Sequence, residues 1–538
     1  MLDSRMMFRG TRTASITLLA ALLVVLPFRP LSASAEAVAP PIDQDTFFET
    51  VVEQARELAQ RDYEANGPAL PDVVANLPEH GTRSIPFIPE KALWTEVGLP
   101  IRFQLFHRGA WFDKPVRVSE IVGDQAKPVA YSPERFDLSR SGLSPEMLRE
   151  NIEHAGVTLH FLDPKANTFR EKLSFLGASY FRAIGSDHHW GASARGIAIN
   201  TFLEGVAEEF PGYEAFWLRR PEPNDRQAIV YALLNGPSVT GAYRFVARPG
   251  EQTAIETDVA LFFRQDLDTP IQKIGLAPLT SMFLMGEEQP GRSGAWRPEV
   301  HDSDGLLLID GNGEHTWRPL DNPAASRVSR FALTNPKGFG LIQRDRRFES
   351  YMDPALEYHR RPSVWVQTRG DWGQGWVELI EFHSEDEDFD NLGAFWVPQD
   401  DAMLRSGKRF DLAYTLWFCD DQPPVPSAGR FTDTFRGVPQ ALFPNRREQG
   451  ALRFVLLAEG GGLEEQFAGL PEVVATVTNG QIIGQPSAVR IPELGKWQVM
   501  IDARPYENDN PMELRAHLKR GDDVLTETWS YRWDWGLP

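Results

Sequence analysis

The chain has 538 residues, with 55 Lys and Arg against 75 Asp and Glu, for a formal net charge of −20. Its 42% hydrophobic and 24% charged residues are those of a folded globular protein and exclude wholesale disorder. The acidic balance excludes nucleic acid and anionic lipid as partners, since both select clustered basic surface. At about 150 residues per domain there is room for three domains and a large core.

Arg5, Arg9 and Arg12 precede an apolar run from Ile16 to Leu26, Pro27 breaks it, and Ala33-Ser34-Ala35 offers a small-residue cleavage site. This is the pattern of a secretory signal peptide over residues 1–35, too short for a comfortable membrane span. Its removal takes away Arg5, Arg9, Arg12 and Arg29 but only one acid, Asp3, so the mature chain is more acidic still. No later apolar stretch is long enough to cross a bilayer, so the expected product is a soluble, exported protein.

Residues 43–64 read as a helix, because Phe47, Phe48, Val51, Val52, Ala55, Leu58 and Ala59 recur at helical spacing. A second, short helix is expected from the Ser144 cap and Pro145 to about Glu153. Elsewhere short strand patterns dominate, at 101–106, 227–234, 241–247 and 257–263, separated by turns such as Arg248-Pro249-Gly250 and Gly311-Asn312-Gly313. The strand pattern at 410–418 ends at the single cysteine, Cys419, read as a buried thiol with no disulfide partner. A proline-rich linker, 420–428, separates an N-terminal unit (36–419) from a tail (429–538). The tail's strand patterns at 452–457, 473–477, 497–502, 512–518 and 525–531 suit an immunoglobulin-like sandwich. The pattern as a whole is all-β with helical decoration.

Stock motifs for serine hydrolases, phosphate loops and zinc proteases are absent, and nothing calls for a cofactor or metal. His188 and His189 are adjacent and on a strand would face opposite sides, so surface or hydrogen-bonded histidines are the simpler reading. Asp386, Asp388 and Asp390 mimic the start of a calcium loop, but Asn391 and Val397 stand where Gly and Glu are required. The run Glu385 to Asp390 abuts the apolar strand pattern 392–397, and a second acidic cluster, His301-Asp302-Ser303-Asp304-Gly305, leads into Leu306 to Ile309. Trp296-Arg297-Pro298 and Trp317-Arg318-Pro319 flank that second cluster. Two carboxyl groups, one donating and one accepting a proton, are what glycoside hydrolysis needs, and tryptophan faces stack on sugars. The 15 Trp, 33 Phe and 11 Tyr make neutral sugars a ligand class to consider.

The segments Gly177 to Ala183, Ser193 to Thr201, Trp296 to Gly305, Gly338 to Arg346, Tyr358 to Ser363 and Gly370 to Gly373 resemble the periplasmic glucan biosynthesis proteins, the OpgG/OpgD family. The resemblance implies a large β-sandwich of the supersandwich, galactose-mutarotase-like kind, followed by the immunoglobulin-like domain. It also implies a periplasmic protein acting on the β-1,2-glucan backbone as an inverting endo-β-1,2-glucanase. Chain transfer (cyclising or branching) and glucan binding without catalysis are the alternatives, and a homodimer is left open. By motif, Asp302 resembles the family's general acid and Asp390 its general base acting on water through a relay, with the reverse order open. Tyr358 and Glu387 fall where that relay lies. At Asp388 a small hydroxyl residue is expected in hydrolytic members, and a carboxylate there would alter the base or the water path. Trp296, Trp317, Arg318, Trp365 and Trp372 are expected to bind substrate. Arg344 and Arg346 are read either as subsite groups or as parts of a structural ion pair with Asp345.

Overall fold

The computed structural model describes residues 46–534 apart from 65–66, 68, 78–84, 96–97, 110, 124, 149–151, 164, 266, 268–269, 289–294, 427, 440–449, 465–468 and 508–509. The signal-peptide reading of 1–35 therefore lies outside the described residues. Among the described residues the strands form four sheets, of ten, fifteen, two and five strands. The protein is an all-β sandwich.

The ten- and fifteen-stranded sheets face one another. Phe103, Leu279 and Trp396 from the first meet Tyr243, Ile255, Phe339 and Val366 from the second in one apolar core. The apolar run at Gly305–Ile309 shows how the next layer is added. Leu306 and Leu308 enter that core, while the alternate residues Leu307 and Ile309 point to the sheet's other face. There they join Ile342, Trp365, Phe454, Ile501, Leu514 and Trp529 in a second core. A strand buried on both faces reads as a continuous apolar run, as this one does. After the strand Phe410–Cys419, residues 420–426 and 428 hold no helix or strand. The tail strands Arg430–Gly437, Leu452–Glu459 and Lys496–Pro505 lie in the five-stranded sheet. Glu472–Thr478, Met512–Arg520 and Thr528–Trp533 extend the fifteen-stranded sheet through a parallel pairing, Trp317 beside Trp529.

Most expected strands form within a few residues of the expected positions, and three elements differ for identifiable reasons. The described helix is Thr46–Ala59; it lays Val51, Val52 and Ala55 on Tyr231, Leu233 and Phe262. It ends early because the Arg264 guanidinium donates to the carbonyls of Leu58 (2.6 Å) and Arg61, capturing acceptors the next turn would use. The helix expected after Ser144 is a single 3₁₀ turn, Pro145–Leu148. Its downstream residue His154 instead bridges Val116, whose N–H donates to the His154 carbonyl at 2.7 Å. The last strand starts at Thr528 rather than Leu525, because Thr526 bridges Gly429 and the Glu527 N–H donates to the Gly429 carbonyl at 2.8 Å. Cys419 is buried, and burial pushes its thiol pKa up, so it is held as the thiol.

Candidate functional site

Three neighbouring strands of the ten-stranded sheet set one wall. Tyr180–Ala183, Ser193–Arg195 and Ile274–Ser281 pair antiparallel, with Phe181 opposite Ala194 and Ser193 opposite Thr280. Phe181, Ala183, Ala194 and Leu279 point into the core. By alternation Arg182, Ser193 and Thr280 form a row on the other face. Asp390 closes the row from the head of the next strand, Leu392–Pro398. Its Oδ2 accepts the Thr280 hydroxyl at 2.9 Å, and the Ser193 hydroxyl also bonds it.

Asn391 fixes the direction in which Asp390 leaves the strand. Its Nδ2 donates to the carbonyls of Phe283 (2.9 Å) and Phe382 (3.0 Å), and its Oδ1 accepts the Phe283 N–H at 2.8 Å. The same Phe283 pairs with His301 in the two-stranded sheet, and the Asp302 N–H donates to the Met282 carbonyl at 2.8 Å. One short segment, 282–283, therefore fastens both acidic loops, although they are far apart in sequence.

Asp302 is 4% exposed and its Oδ1 accepts the Arg361 guanidinium. Burial lifts its pKa to about 6; Arg361 opposes the rise and the charge of Asp390 adds to it. Asp390 remains open to solvent at the surface, but the protein around it raises its pKa as well, against the pull of Thr280, Arg182 and Arg361. The charge of Asp390 raises Asp302, and Arg361 and Arg182 act on both carboxyls, which makes the four groups a single electrostatic site. Arg361 lies 4.1 Å over the Tyr358 ring and packs on Gly191, where a Cβ would come within 2.9 Å of its own Cβ. Glu387 takes both terminal nitrogens of Arg297 (3.0 and 2.6 Å), and Arg297 lies 5.5 Å over the Trp296 ring and 5.9 Å over that of Tyr358.

Behind Asp302 sits a buried polar network. His301 bonds Glu299 at 3.0 Å and Gln343 at 2.8 Å, and Gln343 donates to the Tyr351 hydroxyl and to the Tyr358 carbonyl. Burial favours the neutral imidazole, but Glu299 outweighs it and holds the His301 pKa at about 9. Asp304 accepts the N–H groups of Arg344 and Asp345, and burial lifts its pKa to about 6.

Of the residues expected from the sequence, Asp302, Asp390, Tyr358, Glu387 and Trp296 converge here. Asp388 is exposed, and its N–H turns back to Asp386 at 3.1 Å. Arg346 donates to the Arg361 carbonyl at 2.8 Å and lies 3.6 Å from Asp420. Five expectations are corrected. Trp317 and Trp365 are buried in the second core, because strand alternation turns them to the face covered by the tail. Arg318 is buried and bonds the Pro319 carbonyl, with Glu381 at 3.4 Å. Arg344 pairs with Glu527 of the tail (2.8 Å) and lies 3.5 Å over Trp317, a structural tie and not a subsite group. Trp372 packs on Trp396 and Tyr414 at the edge of the first core. Asp345 binds Arg347 and Ser350. His188 lies off any strand, taking the Gly185 N–H at 3.0 Å and bonding Asp420 at 2.9 Å.

The residues not anticipated are Arg361, Arg182, Ser193, Thr280, Asn391, His301 and Gln343. Arg182 and Ser193 lie inside the segments that carry the family resemblance, Gly177 to Ala183 and Ser193 to Thr201, but no role is assigned to either from sequence.

The chain is thus an all-β sandwich protein with paired carboxyls and guanidiniums gathered on the central strands of its ten-stranded sheet. Residues 47–533 match the family model described as periplasmic glucan biosynthesis protein, MdoG, and the chain belongs to that family. It is 40% identical over 493 residues to glucans biosynthesis protein D 1 of Ralstonia nicotianae, covering 89% of this chain and 90% of that protein. It is 39% identical over 519 residues to glucans biosynthesis protein G of Rhodopseudomonas palustris, covering 95% and 98%. Against the G protein of Pectobacterium atrosepticum it is 38% identical over 538 residues, covering 98% and 99%. Among the described residues no helix is long and apolar enough to cross a membrane.

Proposed function

We propose that the protein cleaves the β-1,2-linked backbone of a periplasmic glucan with inversion. Asp302, which keeps its proton up to a pKa of about 6, gives it to the leaving glycosidic oxygen as the C1–O bond breaks. A water attacks C1 from the opposite face, and its proton passes to the Asp390 carboxylate. Tyr358 and Glu387, set in the Arg361–Tyr358–Arg297 stack beside the pair, line the path for that proton. The protein reaches the periplasm by the 1–35 signal peptide, and the division between catalytic and immunoglobulin-like domains falls at 420–428.

The observation that carries this reading is the attachment of both acidic loops to the single segment 282–283, with Asp302 raised by burial and by the charge of Asp390. Transfer of the chain to another sugar is a second reading, favoured by the exposed Asp388 carboxylate two residues before Asp390. The test is incubation of the mature protein with linear β-1,2-glucan. Shorter chains are expected, with Asp302→Asn and Asp390→Asn each slowed about 10²- to 10⁴-fold. Products without new reducing ends would select transfer. No product of either kind, or variants equal to wild type, would reject catalysis at this pair and leave glucan binding.

A further inference from the structure

The outward row Arg182–Ser193–Thr280 ends in a cation that the proposed chemistry does not use. Ser193 and Thr280 are both spent on Asp390. Arg182 lies exposed on its strand, and its guanidinium sits 4.8 Å over the ring of Trp190, which stands in the loop joining this strand to Ser193–Arg195. Among the described residues the guanidinium makes no hydrogen bond and no ion pair, although Glu171 on the neighbouring strand, Asp390 and Asp302 all act on its charge.

That placement differs from the other arginine of the site. Arg361 is drawn onto Asp302 and is occupied by it. A guanidinium needed only to neutralise Asp390 would be drawn onto that carboxylate in the same way. Stacking on an indole instead fixes the plane of the guanidinium while leaving its in-plane N–H fork free to donate. A planar pair of donors suits two acceptors side by side, such as a carboxylate, a phosphate or a vicinal diol. Asp302 and Asp390 stand close enough to perturb this cation, and they would repel an anion held by it. The matching ligand is therefore neutral.

We propose that Arg182 and Trp190 form a sugar subsite flanking Asp390. The Arg182 fork donates to two adjacent hydroxyls of the glucosyl unit beside the bond to be cleaved, and Trp190 holds the fork in plane. This assignment rests on the glucan reading above and adds a residue that sets the position of the sugar relative to the base.

The test separates binding from turnover by using the full mature chain carrying Asp302→Asn, titrated calorimetrically with linear β-1,2-gluco-oligosaccharide of defined length. Adding Arg182→Ala is expected to raise Kd at least about 10-fold, the worth of a charge-assisted pair of hydrogen bonds. Arg182→Lys, which keeps the charge and loses the fork, should recover only part of the loss, and Trp190→Ala should weaken binding without removing it. Melting temperatures should stay close to the parent, since Arg182 is exposed and loses only its stack on Trp190, with no hydrogen bond or ion pair to break. In the active enzyme Arg182→Ala should raise KM more than it lowers kcat. It should also move the acid limb of the pH profile upward, because a cation that favours the Asp390 carboxylate is gone. Arg182→Lys or Arg182→Ala binding at parental affinity would overturn the subsite while leaving the glucan reading standing. Absence of any oligosaccharide binding by the Asp302→Asn protein would overturn both.

Discussion

The proposed roles ask opposite protonation states of Asp302 and Asp390, and their surroundings have measurable consequences. Asp302 must be protonated to act as the acid, so the rate should fall as pH rises through about 6. Asp390 must be ionised, and because its own pKa is raised, the rate should also fall on the acid side at a pH above the usual carboxylate range. The expected profile of kcat/KM is a bell. Arg361 lowers the Asp302 pKa, so Arg361→Ala should carry the alkaline limb to higher pH; an alkaline limb that does not move would remove Asp302 as the titrating acid. The elevation works against the fold in the same window. Asp302 binds its proton more tightly in the folded chain than at its ordinary value of 3.8, so it favours the folded state below that value and ceases to do so as pH rises to about 6.

At the scale of strands and loops, tryptophans of similar local sequence have separate fates. Trp296 and Trp317 each precede Arg and Pro, and their immediate sequence does not tell them apart. Trp296 sits in a loop beside Arg297 and is 68% exposed, whereas Trp317 lies in the strand His315–Pro319 and turns into the second core. Trp365, at 0% exposure, shares that core. Trp365→Ala should therefore cost about 3–5 kcal/mol of stability in a chemical melt. Trp296→Ala should leave the melt within about 0.5 kcal/mol and weaken glucan binding. The reverse pattern would contradict the placement of both. The strands were legible in the sequence because apolar runs and turn residues are local signals. The site was legible only through its acidic loops. Which face of a strand a residue occupies depends on what covers the sheet, and the cover of Trp317 and Trp365 comes from residues after 429. The roles of Arg361 and Asn391 depend on contacts with residues far away in the chain, which no local pattern encodes.

Across the whole molecule, the tail is tied to the layer that carries the site. Arg344 bonds Glu527, Arg327 bonds Asp534, and the Thr434 N–H donates to Glu287 at 2.8 Å, next to the strand 283–285 that orders the acidic loops. The loop at Arg344 is held in turn by Asp304, two residues beyond Asp302. The acidic balance that excluded nucleic acid and anionic lipid also suits this chemistry, because it places no demand for charge on the substrate. The central claim is that Asp302 and Asp390 act as acid and base on opposite faces of a β-1,2-glucan. Proton NMR of the first reducing ends released from linear β-1,2-glucan tests it most directly. The account predicts that the α-anomer appears first and then mutarotates. Release of the β-anomer first, or consumption of the glucan with no new reducing end, would contradict it.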